Sequence, residues 1–249
     1  NQLETAGLGG PCTLSVYTGV YNGQVNLTTD IAGFGPNNPL IIQAAPGQHP
    51  EVTNTLAVGL TTGNCFYLKG AEYVTIKGFD IHTCDRFGIY LHYSTGNYTK
   101  YCTIEENYFH NIGNANNYPI YATYAENCNV IGNETDGDYY GIYFYRGVNM
   151  FIANNMVYNA ERYGIRLYYT DSTKVYNNSV YMNCDDYTNT SGIYTYNCTA
   201  FNLKNNILYN ASQGQDTRCL YIYGDLATYT GESDYNCLYS VTTNVGYYN

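Results

Sequence analysis

Apolar and polar residues alternate with period two along this chain, in short bursts that come in threes separated by turns. From Gly141 to Asn159 the run GIYFYRGVNMFIANNMVYN reads as a strand (GIYFY), a short turn, a second strand (MFI), an asparagine turn (ANN) and a third strand (MVY). The pattern returns as GIRLYYTDSTKVYNNSVYMN from Gly164 to Asn183 and as GIYTYNCTAFNLKNNILYN from Gly192 to Asn210. A looser copy, GIYLHYSTGNYTKYCTIEENYFHN, runs from Gly88 to Asn111. Strict alternation over so few residues argues for half-buried strands and against helices.

The first apolar residue of each unit falls at Phe66, Ile89, Ile120, Ile142, Ile165, Ile193 and Leu220, giving successive spacings of 23, 31, 22, 23, 28 and 27. Each unit is therefore one coil of a solenoid whose length varies in the loops. The predicted architecture is all-β: a parallel β-helix of about eight or nine coils, one domain over residues 12–249 behind an N-terminal extension, 1–11. At about 4.8 Å per coil the body is about 40 Å long. Inward positions stack into rows: Ile89, Ile142, Ile165 and Leu220 on the first strands; Ile76, Ile104, Val130, Ile152, Val175 and Leu203 on the second; Ile81, Phe109, Val157, Val180, Leu208 and Leu238 on the third.

The turn between second and third strands repeats an asparagine, at Asn107, Asn133, Asn155, Asn178 and Asn206. Asparagine tolerates a left-handed backbone and its amide can bond to its counterparts above and below, so these positions are expected to be left-handed and to form a structural ladder.

Residues 12–28, CTLSVYTGVYNGQVNLT, and the following NPLIIQAAPGQHPEVT from Asn38 supply the opening coils. With the later repeats, they resemble right-handed parallel β-helix proteins of the pectate-lyase-like superfamily over nearly the whole chain. The resemblance implies a right-handed coil. It leaves function open, since the superfamily includes lyases, hydrolases, epimerases, adhesins and phage spikes.

Alternation points one tyrosine column outward on the first strands (Tyr67, Tyr90, Tyr121, Tyr143, Tyr194, Tyr221, interrupted by Arg166) and a second beside it (Tyr145, Tyr168, Tyr196, Tyr223). The third strands carry His82, His110, Tyr158, Tyr181, Tyr209 and Tyr239. Tyrosine suits strands and stabilises its cross-strand neighbours, yet tiling of this extent also marks a contact surface, for sugar rings or for other copies of the chain.

Enzymes of the superfamily that cleave acidic polysaccharides place acidic residues and an Arg or Lys base on the outer face of the first sheet. This chain offers Arg166, Lys69 and His92 there, without the paired carboxylates that glycoside hydrolysis needs. Arg166 is the candidate base for β-elimination or the candidate substrate anchor; the competing reading is a guanidinium stacked on tyrosines. His82 and His110 lie on another sheet with no carboxylate expected in register, and carry no catalytic assignment. Carboxylates gather in the loops from third to first strands, at Asp85, Asp136, Asp138, Glu161, Asp185, Asp186 and Asp216, where Asp136 and Asp138 are the candidate calcium ligands. A solvated acidic edge is the alternative.

Ten Lys and Arg against twenty Asp and Glu give a formal charge of -10, which excludes a phosphate-neutralising stripe and with it nucleic acid or anionic membranes as partners. No apolar run approaches the roughly 18 residues needed to span a bilayer. The sequence opens at Asn1 without an initiator Met, as expected of a processed, secreted protein. Sequons stand at Asn26, Asn97, Asn133, Asn189, Asn197 and Asn210, and at Asn177 inside a repeat turn, either as glycosylation sites or as chance matches in an Asn- and Thr-rich chain. Nine cysteines without a CxxC pair indicate neither zinc nor redox motif; Cys102 and Cys128, at equivalent positions of adjacent coils, are either a disulfide or stacked thiols.

No capping element is apparent at either end of the solenoid. The function expected first is a non-catalytic, secreted structural protein that assembles end to end or through its tyrosine faces into a filament or surface layer. A carbohydrate-binding or adhesin module and a polysaccharide lyase or hydrolase are the alternatives.

Overall fold

A computed structural model describes residues 7–28, 31–113, 117–185, 187–224, 230–242 and 245–248, with the side chains of Tyr247 and Tyr248 excepted. The described strands form three nine-stranded sheets, parallel throughout, in which every neighbour is the equivalent strand of the next coil. Sheet 1 runs from Val25–Thr28 through Phe66–Lys69, Phe87–His92, Tyr118–Thr123, Tyr140–Tyr145, Tyr163–Tyr168, Asn189–Tyr196 and Asp216–Tyr223 to Gly246–Tyr248. Sheet 2 runs from Cys12–Val16 to Glu232–Asp234 and sheet 3 from Gly19–Asn22 to Cys237–Ser240. No helix among the described residues is long and apolar enough to cross a membrane.

The register follows the repeat. Phe66 pairs with Ile89, Ile89 with Ile120, Ile120 with Ile142, Ile142 with Ile165, Ile165 with Ile193 and Ile193 with Leu220. Side chains of one phase therefore stack into continuous rows, and the inward rows are buried along the coils, with Leu238 partly covered at the last. The expected extension is in part docked, because Leu8 is buried in this core and its amide donates to Ala32 O at 2.7 Å.

The asparagine ladder forms, with a correction to its backbone. Asn107, Asn133, Asn155, Asn178 and Asn206 are buried, and each Nδ2 donates to the next Oδ1 at 2.9–3.1 Å, a chain that Asn236 extends. The left-handed residue is the one before each: Glu106 (φ 54°), Gly132 (66°), Asn154 (58°), Asn177 (56°), Asn205 (58°) and Tyr235 (54°). That residue makes the sharp turn, so the ladder asparagine can point its amide inward.

A second departure occurs where sheet 1 begins. Strict alternation would place Tyr140 and Tyr163 inside, but the pairing passes from Tyr140↔Tyr163 directly to Ile142↔Ile165, and the intervening glycines face the core. A Cβ on Gly141 would lie 2.5 Å from Val157 Cγ1 and 2.7 Å from the Gly164 carbonyl oxygen. Glycine lets the chain bend into sheet 1 against the next coil and sends the preceding ring outward.

Candidate functional site

The outward face of sheet 1 is not the open tyrosine platform expected. Tyr67, Tyr90, Tyr143 and Tyr194 retain only 6%, 2%, 8% and 9% of their exposure. Rings displaced outward at the start of each strand cover them: Phe87, Tyr118, Tyr140 and Tyr163, with Tyr139 beside them. Tyr121, stacked between Tyr90 at 5.0 Å and Tyr143 at 4.9 Å, and Tyr221, packed on Tyr194 at 5.2 Å, complete the column. The result is a second apolar core outside the sheet.

In the neighbouring column Tyr168 and Tyr196 lie parallel at 4.4 Å, and Tyr196 and Tyr223 at 4.8 Å, while Tyr145 tilts against Tyr168 at 5.9 Å. Parallel rings spend their faces on each other and offer edges to solvent.

Arg166 lies inside this wall. Its guanidinium carbon sits 4.6–5.8 Å from the ring centres of Tyr140, Tyr143, Tyr163, Tyr168 and Tyr194, and Nη1 donates to Tyr140 Oη at 3.0 Å. The stacked-guanidinium reading is the one the geometry supports, and cation–π contact with so many rings, four of them buried, locks the wall together. The phenols stay protonated at neutral pH, because burial holds Tyr90 and Tyr143 up at about 12. On the same sheet Tyr67 Oη pairs with His92 Nδ1 at 2.7 Å, while burial and Lys69 push the His92 imidazole below its usual range.

The two expected calcium ligands bond to different coils. Asp136 ends the strand Glu134–Asp136 rather than lying in a loop, and Asp216 begins the strand Asp216–Tyr223. Asp136 accepts from Asn159 Nδ2 at 2.8 Å in the following coil, whereas Asp138 accepts from the Ile112 amide at 2.9 Å in the preceding one. Burial pushes the Asp138 carboxyl up to about 8, and repulsion from Glu161 and Asp136 adds to the rise. Asp186 lies outside the described residues.

A pH dependence follows from Asp138. Its folded-state affinity for a proton exceeds that of the unfolded chain, so its contribution is complete below about pH 4 and is lost as pH rises toward about 8. Asp138→Asn keeps the left-handed residue (φ 72°) and the bond to Ile112 while removing the titration. We expect the variant to flatten the fall in urea-unfolding stability across that window; an unchanged slope would show that Asp138 ionises freely.

The remaining assignments divide. Cys102 and Cys128 are buried thiols rather than a disulfide, stacked so that the Cys102 amide donates to Cys128 Sγ at 3.4 Å. Among the sequons, Asn133 belongs to the ladder and Asn210 is buried, its Nδ2 donating to Arg218 O at 2.8 Å, so neither side chain can carry a glycan. Asn26, Asn97, Asn177 and Asn197 are exposed, while Asn189 is half-buried.

Sheet 3 carries the open surface. Its outward file runs in register from His82 through His110, Asp136, Tyr158, Tyr181 and Tyr209 to Tyr239. In its C-terminal half the exposed Met156 and Ile207 and the rings of Tyr158, Tyr181 and Tyr209 line, with Glu134, an open groove of about 560 Å³. Tyr158 Oη donates to Glu134 at 2.7 Å. Neighbouring rings here are not parallel: Tyr181 and Tyr209 are inclined by 58° and Tyr209 and Tyr239 by 78°, so ring faces remain available. In the N-terminal half the histidines do have carboxylate partners, contrary to expectation, with His110 Nε2 at 3.0 Å from Asp80 and His82 Nε2 at 3.4 Å from Glu51. The signal was present in the sequence, since Asp80 and His82 are two apart and share a face; the register that brings Glu51 and His110 beside them depends on loop lengths.

No curated protein sequence matches the chain. Among solved structures it resembles the periplasmic alginate epimerase AlgG (TM-score 0.58, 14% identity), covering 88% of this chain and 55% of that one. It also resembles the pectate lyase Pel9A (TM-score 0.59, 12% identity), covering 98% of this chain and 71% of that one. A tailspike protein from an Escherichia coli bacteriophage matches at TM-score 0.58 and 12% identity, covering 86% of this chain and 30% of that one. The chain thus spans about half the length of the epimerase, and likeness at such identities establishes the fold alone. Residues 64–231 match the family model described as the right handed beta helix region. The coil register, the asparagine ladder and this match agree: the chain belongs to the right-handed β-helix family.

Proposed function

We propose that this protein is a secreted glycan-binding β-helix that holds a neutral oligosaccharide along sheet 3, over Tyr158, Tyr181 and Tyr209. The observation that carries the reading is the inclined, exposed ring faces of that groove, set against the parallel, self-occupied rings of sheet 1. Tyrosine faces pack on the C–H faces of sugar rings, and the coil spacing of about 4.8 Å is close to the advance of one hexopyranose along an extended chain. Ser179 and Asn159, which also line the groove, supply hydroxyl-binding groups.

Charge selects among glycans. Glu134 at the groove, Asp136 beside it and the formal charge of -10 disfavour polyuronates, although two of the similar structures are named for alginate and pectate. The filament expected from sequence loses the support of the sheet 1 columns, whose rings are committed to one another and to Arg166. Copy-to-copy contact through sheet 3 is the competing outcome.

The test is calorimetry against a panel of neutral and uronic oligosaccharides, with light scattering of the same samples. Binding of a neutral chain, weakened at least tenfold (about 1.4 kcal/mol) in Tyr209→Ala and absent for the uronic chains, is expected. Concentration-dependent self-association abolished by Tyr209→Ala, without binding of any glycan, would instead make this face an interface between copies.

A further inference from the structure

We propose that Asp80, His82 and His110 form a binding site for a divalent transition metal of the zinc class, bridging two adjacent coils at the N-terminal end of the sheet 3 file. This does not depend on the glycan reading. One carboxylate oxygen and one nitrogen of each imidazole lie within 4.8 Å of one another. Imidazole and carboxylate are ligands such an ion accepts at about 2.0–2.2 Å. Tetrahedral geometry with those bonds sets the two nitrogens about 3.3 Å apart, so rotation of the rings about their Cβ–Cγ bonds is the movement required.

The site is built rather than incidental. His82 and His110 pair in register and stack with centroids 4.6 Å apart, inclined by 18°, and Tyr108 lies against His110 at 4.9 Å. Each ring is held at its far nitrogen. His82 Nδ1 is 2.8 Å from Thr83 Oγ1, and His110 Nδ1 is 2.9 Å from the Asn111 amide. Turned by 180°, that amide would present its oxygen to an Nδ1–H, leaving Nε2 free for metal. Thr83 and Asn111 both adopt left-handed backbone, φ 51° and 52°, a conformation unusual for the β-branched threonine, and this places their polar groups beside the rings.

His110 Nε2 and Asp80 Oδ1 are already 3.0 Å apart, and an ion would replace the proton they share. His82 Nε2 also lies 3.4 Å from Glu51 of the preceding coil. The histidines are only half-buried, so water has access to any open coordination position.

The experiment is titration of the metal-free full chain with Zn²⁺ and, for spectroscopy, Co²⁺. One equivalent should bind, raising the Tm, with affinity falling at least tenfold in His110→Ala and both effects lost in the double variant His82→Ala/His110→Ala. His92→Ala, which removes the imidazole at the end of the sheet 1 strand Phe87–His92, should bind as the parent does. Circular dichroism of the metal-free variants checks that they retain the fold. Undiminished Zn²⁺ binding by the folded double variant, no binding by the parent, or a Co²⁺ spectrum with a thiolate charge-transfer band would each overturn the assignment, the last by moving the metal to a cysteine.

Discussion

Asn155→Ala is expected to lower stability by about 3–5 kcal/mol, among the largest losses any single side chain here can cause. The Asn155 amide makes four hydrogen bonds in a buried turn. Its Nδ2 donates to Val130 O and Asn178 Oδ1, each at 2.9 Å, and its Oδ1 accepts from the Asn133 amide at 2.9 Å and Asn133 Nδ2 at 3.1 Å. Truncation leaves the Asn133 N–H and the Val130 carbonyl buried without those partners, and the penalty for orphaned groups, at about 1–3 kcal/mol each, outweighs the small apolar gain of alanine. The exposed neighbour Asn154 is the control. Its backbone is left-handed (φ 58°), so Asn154→Gly should change stability by a few tenths of a kcal/mol. Urea unfolding of the two variants checks the contrast, and a loss under about 1 kcal/mol for Asn155→Ala would mean that the ladder follows the fold without stabilising it.

Gly164→Ala should cost at least about 3 kcal/mol, the upper end of what overpacking brings. A Cβ there would stand 2.3 Å from Val180 Cγ1 and 2.7 Å from the Gly192 carbonyl oxygen of the next coil. Val180 can turn or be trimmed, but the carbonyl belongs to the coil ladder and cannot retreat without breaking pairing. Val180→Ala in the same chain is therefore expected to rescue only part of the loss, giving a double-mutant coupling of about 1 kcal/mol. Gly35→Ala, with open space around the added methyl, should be near neutral. Full rescue by Val180→Ala would show that the side chain alone defines the constraint.

Gly164 also marks the limit of what the sequence made legible. Period two is a local signal, and it placed the strands, the inward rows and the coil register, because a one-residue slip would turn an entire row to solvent. At the bend into sheet 1 alternation fails, and two successive positions, Gly164 and Ile165, face the core. A reading by alternation leaves the inner tyrosine column bare, since it assigns its cover, Tyr140 and Tyr163, to the interior. Arg166 was legible as an interruption of that column but not as its brace, since Tyr140, Tyr143 and Tyr194 come from other coils. The histidine cluster was hidden for a related reason. Asp80 and His82 declare themselves two residues apart, whereas Glu51 and His110 reach them only through sheet pairing across loops of unequal length.

The direction of the asparagine ladder has a consequence of its own. From Asn107 to Asn206 every side-chain amide donates one hydrogen to the next asparagine, in the higher-numbered coil, and the other to a backbone carbonyl of the coil before. At one limit the Asn107 oxygen accepts from the Phe79 amide; at the other the Asn236 oxygen accepts from Asn206 while its nitrogen bonds to Leu203 O and Ser233. The turn edge is thus a row of aligned dipoles, a vector printed along one side of the rod. A coil grafted onto its Asn236 side must bring an acceptor and one grafted onto its Asn107 side a donor, so the solenoid can be lengthened by splicing in whole units of one orientation, and an inverted unit would meet amide with amide.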